Sequence, residues 1–67
     1  MYKVFSCYEH WGKTGIEVTK WFPVGHEHET KEKAELYLNE YKKLSEYTDK
    51  KTKLKHYFKI NNLSSIL

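Results

Sequence analysis

Three stretches of this 67-residue chain, and two lone nucleophiles, hold residue types that can do chemistry. His26-Glu27-His28-Glu29 sets two imidazoles at i,i+2 among carboxylates. That donor set suits Zn²⁺ or Ni²⁺, with His10 or His56 as further donors. Read as a loop, the spacing fixes no geometry, and a structural zinc site carries a denser Cys/His set. The default reading is a solvated connector leading into a helix, with no metal and no cofactor expected. Cys7 and a histidine make a nucleophile and base in principle. Cys7 falls mid-strand, however, where a thiol is inert packing. Ser6 lacks the sharp turn that exposes a nucleophilic serine. Gly12-Lys13-Thr14-Gly15 shares Gly-Lys-Thr with phosphate-binding loops but lacks their upstream glycine and following helix. A chain of this length rarely encloses a pocket of ~300 Å³ or more. No enzyme is expected.

The remaining stretches favour binding. Lys50-Lys51-Thr52-Lys53-Leu54-Lys55 makes the C-terminal half basic, while acidic residues gather between positions 27 and 40. Such an asymmetry steers an anionic partner. Lysines closing a helix also complement its dipole without any partner, and that reading is the simpler one. The stronger candidate is a set of aromatics interleaved with lysines: Tyr8, Trp21 and Tyr57 with Lys55 and Lys59. Exposed together on a sheet, they suit base stacking and phosphate neutralisation. The competing readings are cross-strand pairing, packing under the Leu63–Leu67 tail, and a homodimer seam.

Composition bounds these options. Hydrophobic residues make up 39% and charged residues 31%, polar enough to raise the question of disorder. Six Tyr, three Phe and two Trp argue for a core, since each aromatic buries ~150–250 Å². Without disulfides such a core supplies no more than ~3–5 kcal/mol of net stability. The lone Cys7 has no internal partner and fits a reducing compartment. The apolar runs fall far short of the ~20 residues of a membrane span, and Met1-Tyr2-Lys3-Val4 opens no signal-peptide core. A cytoplasmic protein without membrane contact is expected. All twelve basic residues are Lys and the net charge is +3. The absence of Arg argues against bidentate readout of guanine, though not against nonspecific phosphate contact. Lys-, Tyr- and Asn-rich usage points to a low-GC bacterium or its phages.

These side chains need elements to hold them. Residues 2–11 and 16–22 read as strands around the Gly12–Gly15 turn. The register that sets Trp11 opposite Ile16 sets His10 opposite Glu17, Glu9 opposite Val18, Cys7 opposite Lys20 and Phe5 opposite Phe22. Phe5, Cys7, Trp11, Ile16, Val18 and Phe22 then share the core face, and Val4, Ser6, Tyr8, His10 and Trp21 the other. Residues 23–29 read as a polar connector. Thr30 is a suitable N-cap for a helix over 31–48, with Ala34, Tyr37, Leu38, Tyr41 and Leu44 in one stripe. After a polar turn over 49–53, residues 54–60 alternate as a third strand, with Leu54, His56, Phe58 and Ile60 inward and Lys55, Tyr57 and Lys59 outward. The expected fold is a single α+β domain over 1–62, in the order β-β-α-β. Its mainly antiparallel three-stranded sheet runs 2-1-3, with one helix on one face and a short tail over 63–67.

The hairpin followed by Glu29-Thr30-Lys31-Glu32-Lys33-Ala34-Glu35-Leu36-Tyr37-Leu38 resembles the arm-type DNA-binding domains of phage tyrosine recombinases. Those domains show a Thr-Lys-x-x-Ala-Glu helix start behind a small sheet. The resemblance covers about ten residues, a generic helix-start pattern, and transfers no residue roles. The family's third strand precedes the helix, whereas here it is expected to follow. What emerges is a small non-catalytic binding protein, of phage or mobile-element type, that engages a macromolecule through its open sheet face. The alternative is a nonspecific single-stranded nucleic-acid binder. The partner is a protein or a nucleic acid.

Overall fold

The computed structural model describes residues 1–63. It contains β1 (Tyr2–Gly12), β2 (Gly15–Val18), β3 (Phe22–His28), α1 (Lys31–Thr52) and β4 (His56–Asn62). The fold is α+β, with one helix on one face of an antiparallel sheet and β1 at its centre. The sheet has four strands, not three. β2 and β3 lie one after the other along one edge of β1, and β4 fills the other edge. The tail expected over 63–67 lies, beyond Leu63, outside the described residues. Leu63 itself donates its N–H to the Met1 carbonyl at 2.8 Å.

The hairpin register is the expected one at its tip: Glu9 faces Val18, His10 faces Glu17 and Trp11 faces Ile16. It fails below Val18. Ser6, not Phe5, faces Phe22, so one extra residue enters the partner strand between Val18 and Phe22. Thr19 marks the break. Its N–H donates to the Tyr8 carbonyl at 3.0 Å, and its hydroxyl accepts from the Tyr8 N–H at 3.1 Å. A one-residue insertion exchanges the faces of everything after it. Phe22 and Val24 therefore turn to the helix, and Trp21 to the opposite face. The expected connector over 23–29 is thus mostly strand, carrying Val24 into the core at 6% exposure.

A second irregularity follows. Val24 faces Val4, yet His28 faces Tyr2, so two further residues bulge out around Gly25. Gly25 has φ 72°, and a Cβ there would lie 2.5 Å from the Tyr37 hydroxyl, so a side chain is excluded twice over. The displacement is even, so His28 stays on the helix side.

The helix begins as expected, with the Thr30 hydroxyl accepting from the Lys33 N–H at 3.2 Å. It runs past residue 48 because Lys53 adopts a left-handed cap (φ 62°) and donates its N–H to the Asp49 carbonyl at 2.7 Å. Leu44, placed in the buried stripe by spacing, is 72% exposed, and Ser45 is buried instead. From Tyr41 the four-residue step returns closer to the sheet-facing line than the three-residue step.

The core is built from small side chains. Val4, Val24 and Ala34 form its centre, ringed by Tyr2, Phe22, Tyr37, Leu38, Tyr41 and Ile60. This reverses the expected orientation of β1: Val4 and Ser6 are buried under the helix, while Phe5, Cys7 and Trp11 lie on the helix-free face. Strand β1 is apolar on both sides, so its alternation alone does not choose a face. Volume does, because Val4, Ser6, Ala34 and Ser45 let the helix approach the sheet closely. Inward alternation of His56, Phe58 and Ile60 in β4 is as expected.

Candidate functional site

The helix-free face gathers large apolar side chains that the fold does not bury. Trp11 is 70% exposed, Val18 55%, Ile16 52%, Trp21 44% and Tyr57 40%. Trp11, Ile16 and Val18 sit at the hairpin tip, on one face by direct cross-strand pairing with Glu9 and each other. Trp21 is delivered by the bulge after Val18. Tyr57 pairs with Cys7, and Lys59 with Phe5.

Two contacts organise this face. Trp21 and Lys59 come from opposite edges of β1 and meet over it, with the Lys59 ammonium 4.5 Å from the Trp21 ring centroid. This is cation–π geometry. Cys7, across from Tyr57, is only 4% exposed although it lies on the helix-free face. The second contact is centred on Glu9. One carboxylate oxygen accepts from the Tyr57 hydroxyl at 3.1 Å, and the other from the Lys55 N–H at 2.9 Å. The Glu9 N–H in turn donates to the Lys55 carbonyl at 2.9 Å, extending the ladder beyond β4. Hydrogen bonding to Glu9, then desolvation and the carboxylate's charge, raise the Tyr57 pKa above its ordinary value.

Three of the five residues singled out from sequence therefore share the helix-free face: Trp21 after the bulge, and Tyr57 and Lys59 on β4. Lys55 lies just before β4, with its backbone bonded to Glu9. Tyr8 does not join them. It lies on the helix side, past the core, with its ring 5.3 Å from His56, 5.9 Å from Phe22 and 6.3 Å from His10. It faces away from Trp21 because Tyr8 and Cys7 are neighbours in one strand. Sequence reasoning missed Trp11, Ile16 and Val18 as exposed residues. Their common face was legible, but their share in the core was assumed from their apolarity.

The remaining motifs resolve into structure. Lys13 and Thr14 form the tight turn between β1 and β2, closed by the Gly12–Gly15 pair. Asp49 ties the end of α1 to β4. Its carboxylate accepts from the His56 N–H at 3.1 Å and meets the His56 ring at Nδ1. His26 and His28 belong to strand β3, with ring centroids 4.5 Å apart and Tyr37 against both. His28 is 7% exposed, and its Nε2 has no hydrogen-bond partner. Burial, then His26, Lys3 and Lys33, push its pKa down. Among the described residues, no three or more His, Cys, Asp or Glu side chains cluster as a metal site, and no helix is long and apolar enough to cross a membrane. No family model matches the chain, and no curated protein or solved structure matches it either.

Proposed function

We propose that the chain is a small non-catalytic binding protein that takes a macromolecular partner on the helix-free face of its sheet. Trp21, Tyr57, Lys55 and Lys59 form the centre of that surface, and Trp11, Ile16 and Val18 extend it along the hairpin. The observation that carries this reading is the joint exposure of Trp11, Ile16, Val18, Trp21 and Tyr57, between 40% and 70%, on one face. Contiguous exposed apolar side chains of this size mark interaction surfaces, and Trp and Tyr are the residues that dominate binding energy there. Their burial by a partner contributes most of the affinity, while the lysines set orientation.

A single-stranded nucleic acid is the second reading, favoured by the Lys59 ammonium poised beside the Trp21 ring. An aromatic platform with an adjacent cation accepts a base and its phosphate, and each stack contributes ~1–3 kcal/mol. The test is an amide titration of the ¹⁵N-labelled protein with short single- and double-stranded oligonucleotides at low and physiological salt. Shifts confined to Trp11, Trp21 and Tyr57, weakening by roughly 0.7–0.9 log units per phosphate contact for each log unit of salt, establish nucleic acid. An undisturbed spectrum at low salt removes it and leaves a protein surface as the partner. If the partner so identified binds Trp21→Ala as tightly as the parent chain, the open-face reading fails.

A further inference from the structure

We propose that His26 and His28 together chelate a divalent transition-metal ion, with nickel or copper as the best fit, through their imidazole nitrogens. As a loop the His-Glu-His stretch would fix no geometry. Strand β3 supplies it, because residues two apart in a strand project to the same side. Both rings lie on the helix side against Tyr37, at 6.0 Å for His26 and 5.2 Å for His28.

Their separation suits one shared ion. With metal–nitrogen bonds of about 2.0–2.1 Å, two ring centres lie roughly 3.2 Å from the ion and about 4.5–5.2 Å apart for bond angles of about 90–110°. The observed centroids are 4.5 Å apart, at the right-angle end of that range. Cis positions of a tetragonal ion have this angle, and imidazole is a favoured donor for nickel and copper. The second, independent sign is His28 Nε2, a buried ring nitrogen without any hydrogen-bond partner in a residue 7% exposed. Such a group is rare unless something else satisfies it. His26 is exposed and gives access from solvent. Two cations bear on the pair: Lys33 lies 3.7 Å from the Glu29 carboxylate, whereas the Lys3 ammonium, donating to the Gly25 carbonyl at 2.8 Å, keeps its charge and opposes the ion. Glu27, one residue from each histidine, alternates to the other face. The chain therefore supplies two ligands, and water reaches the ion only from the exposed His26 side.

The experiment uses the whole chain with Ni²⁺ at pH 7.5 in a non-chelating buffer. Nickel is paramagnetic and leaves the Cys7 thiol unoxidised. Saturable broadening of amide signals centred on residues 25–29 and Tyr37 is expected. His26→Ala, which removes an exposed side chain and keeps the fold, should weaken binding at least tenfold. His10→Ala should leave it unchanged. His28→Gln serves as a second variant and should weaken binding as His26→Ala does, with its amide spectrum reporting that the sheet is intact. Non-saturating broadening, broadening centred on His10, His56 or Met1, or an affinity unchanged by His26→Ala would overturn the site.

Discussion

The two faces of the sheet distribute side-chain size in opposite ways. Under the helix, the fully buried positions are Val4, Ser6 and Ala34, each at 0% exposure. On the helix-free face stand both tryptophans, at 70% and 44%. A protein selected only for stability would bury its largest apolar groups, since burial yields ~25 cal/mol per Å². Here small residues fill the centre, larger ones ring it half-buried, and both tryptophans stand on the opposite surface. The helix face carries the packed core, and the open face leaves large apolar side chains in water.

That division makes the two faces respond differently to substitution. The largest effect is expected from Val4→Asp, which places a carboxylate at the centre of the small core. A buried unpaired charge costs several kcal/mol, comparable with the whole stability of a domain this size. Cooperative thermal unfolding by circular dichroism should disappear. Asp49→Ala comes next. It deprives both the backbone and ring of His56 of their acceptor and should lower stability by about 1–3 kcal/mol in denaturant titration. Thr30→Ala removes the helix cap and should cost ~0.5–2 kcal/mol. Trp11→Ser on the open face should change unfolding free energy by no more than about 0.5 kcal/mol. A loss there as large as that of Thr30→Ala would erase the contrast between the faces.

A pH experiment sharpens the same contrast. Tyr57 has a pKa raised above 10.0 by its hydrogen bond to Glu9. The folded chain thus keeps this phenol proton longer than the unfolded chain. The stabilisation is complete below the unfolded tyrosine pKa and is lost as pH rises through the higher folded value. Ultraviolet titration should show a late-titrating phenol that moves down in Glu9→Gln and vanishes in Tyr57→Phe. An unchanged titration in Glu9→Gln would mean that the carboxylate does not hold the open face together.

Much of this arrangement was legible in the residues. The hairpin register at Glu9, His10 and Trp11, the Thr30 cap, the central place of β1 and the alternation of β4 all follow from local pattern. What escaped was parity. A period of two makes every face assignment hostage to one inserted residue. The Thr19 bulge is such an insertion, held by a hydroxyl that stands in for a backbone acceptor. It shifted the register below Val18 and, because β1 is itself turned over, left Phe22 on the helix side and Trp21 on the open face, as expected. The face of β1 escaped for another reason, since apolar residues on both sides satisfy the alternation rule either way. Tyr57 and Lys59 share the expected face because β4 is regular. Tyr8 was misplaced with the rest of its strand. The histidine pair was visible as a motif, but its geometry depended on β3, which no turn signal announced.

The order in which the central strand acquires its neighbours has a consequence for synthesis. β1 is made first, and β4, which pairs with it from Tyr2 to Tyr8, is made after every other element of the sheet. Until residue 56 and its successors emerge, a nascent chain holds Val4 in a strand with one edge unzipped. Pairings of such sequence separation form late and slowly, and an open strand edge invites foreign strands. Shielding of the growing chain should therefore matter most just before β4 leaves the ribosome. A chain arrested at Lys55 is expected to aggregate, whereas one extended by eight residues to Leu63 has both ladders of β1 available to close.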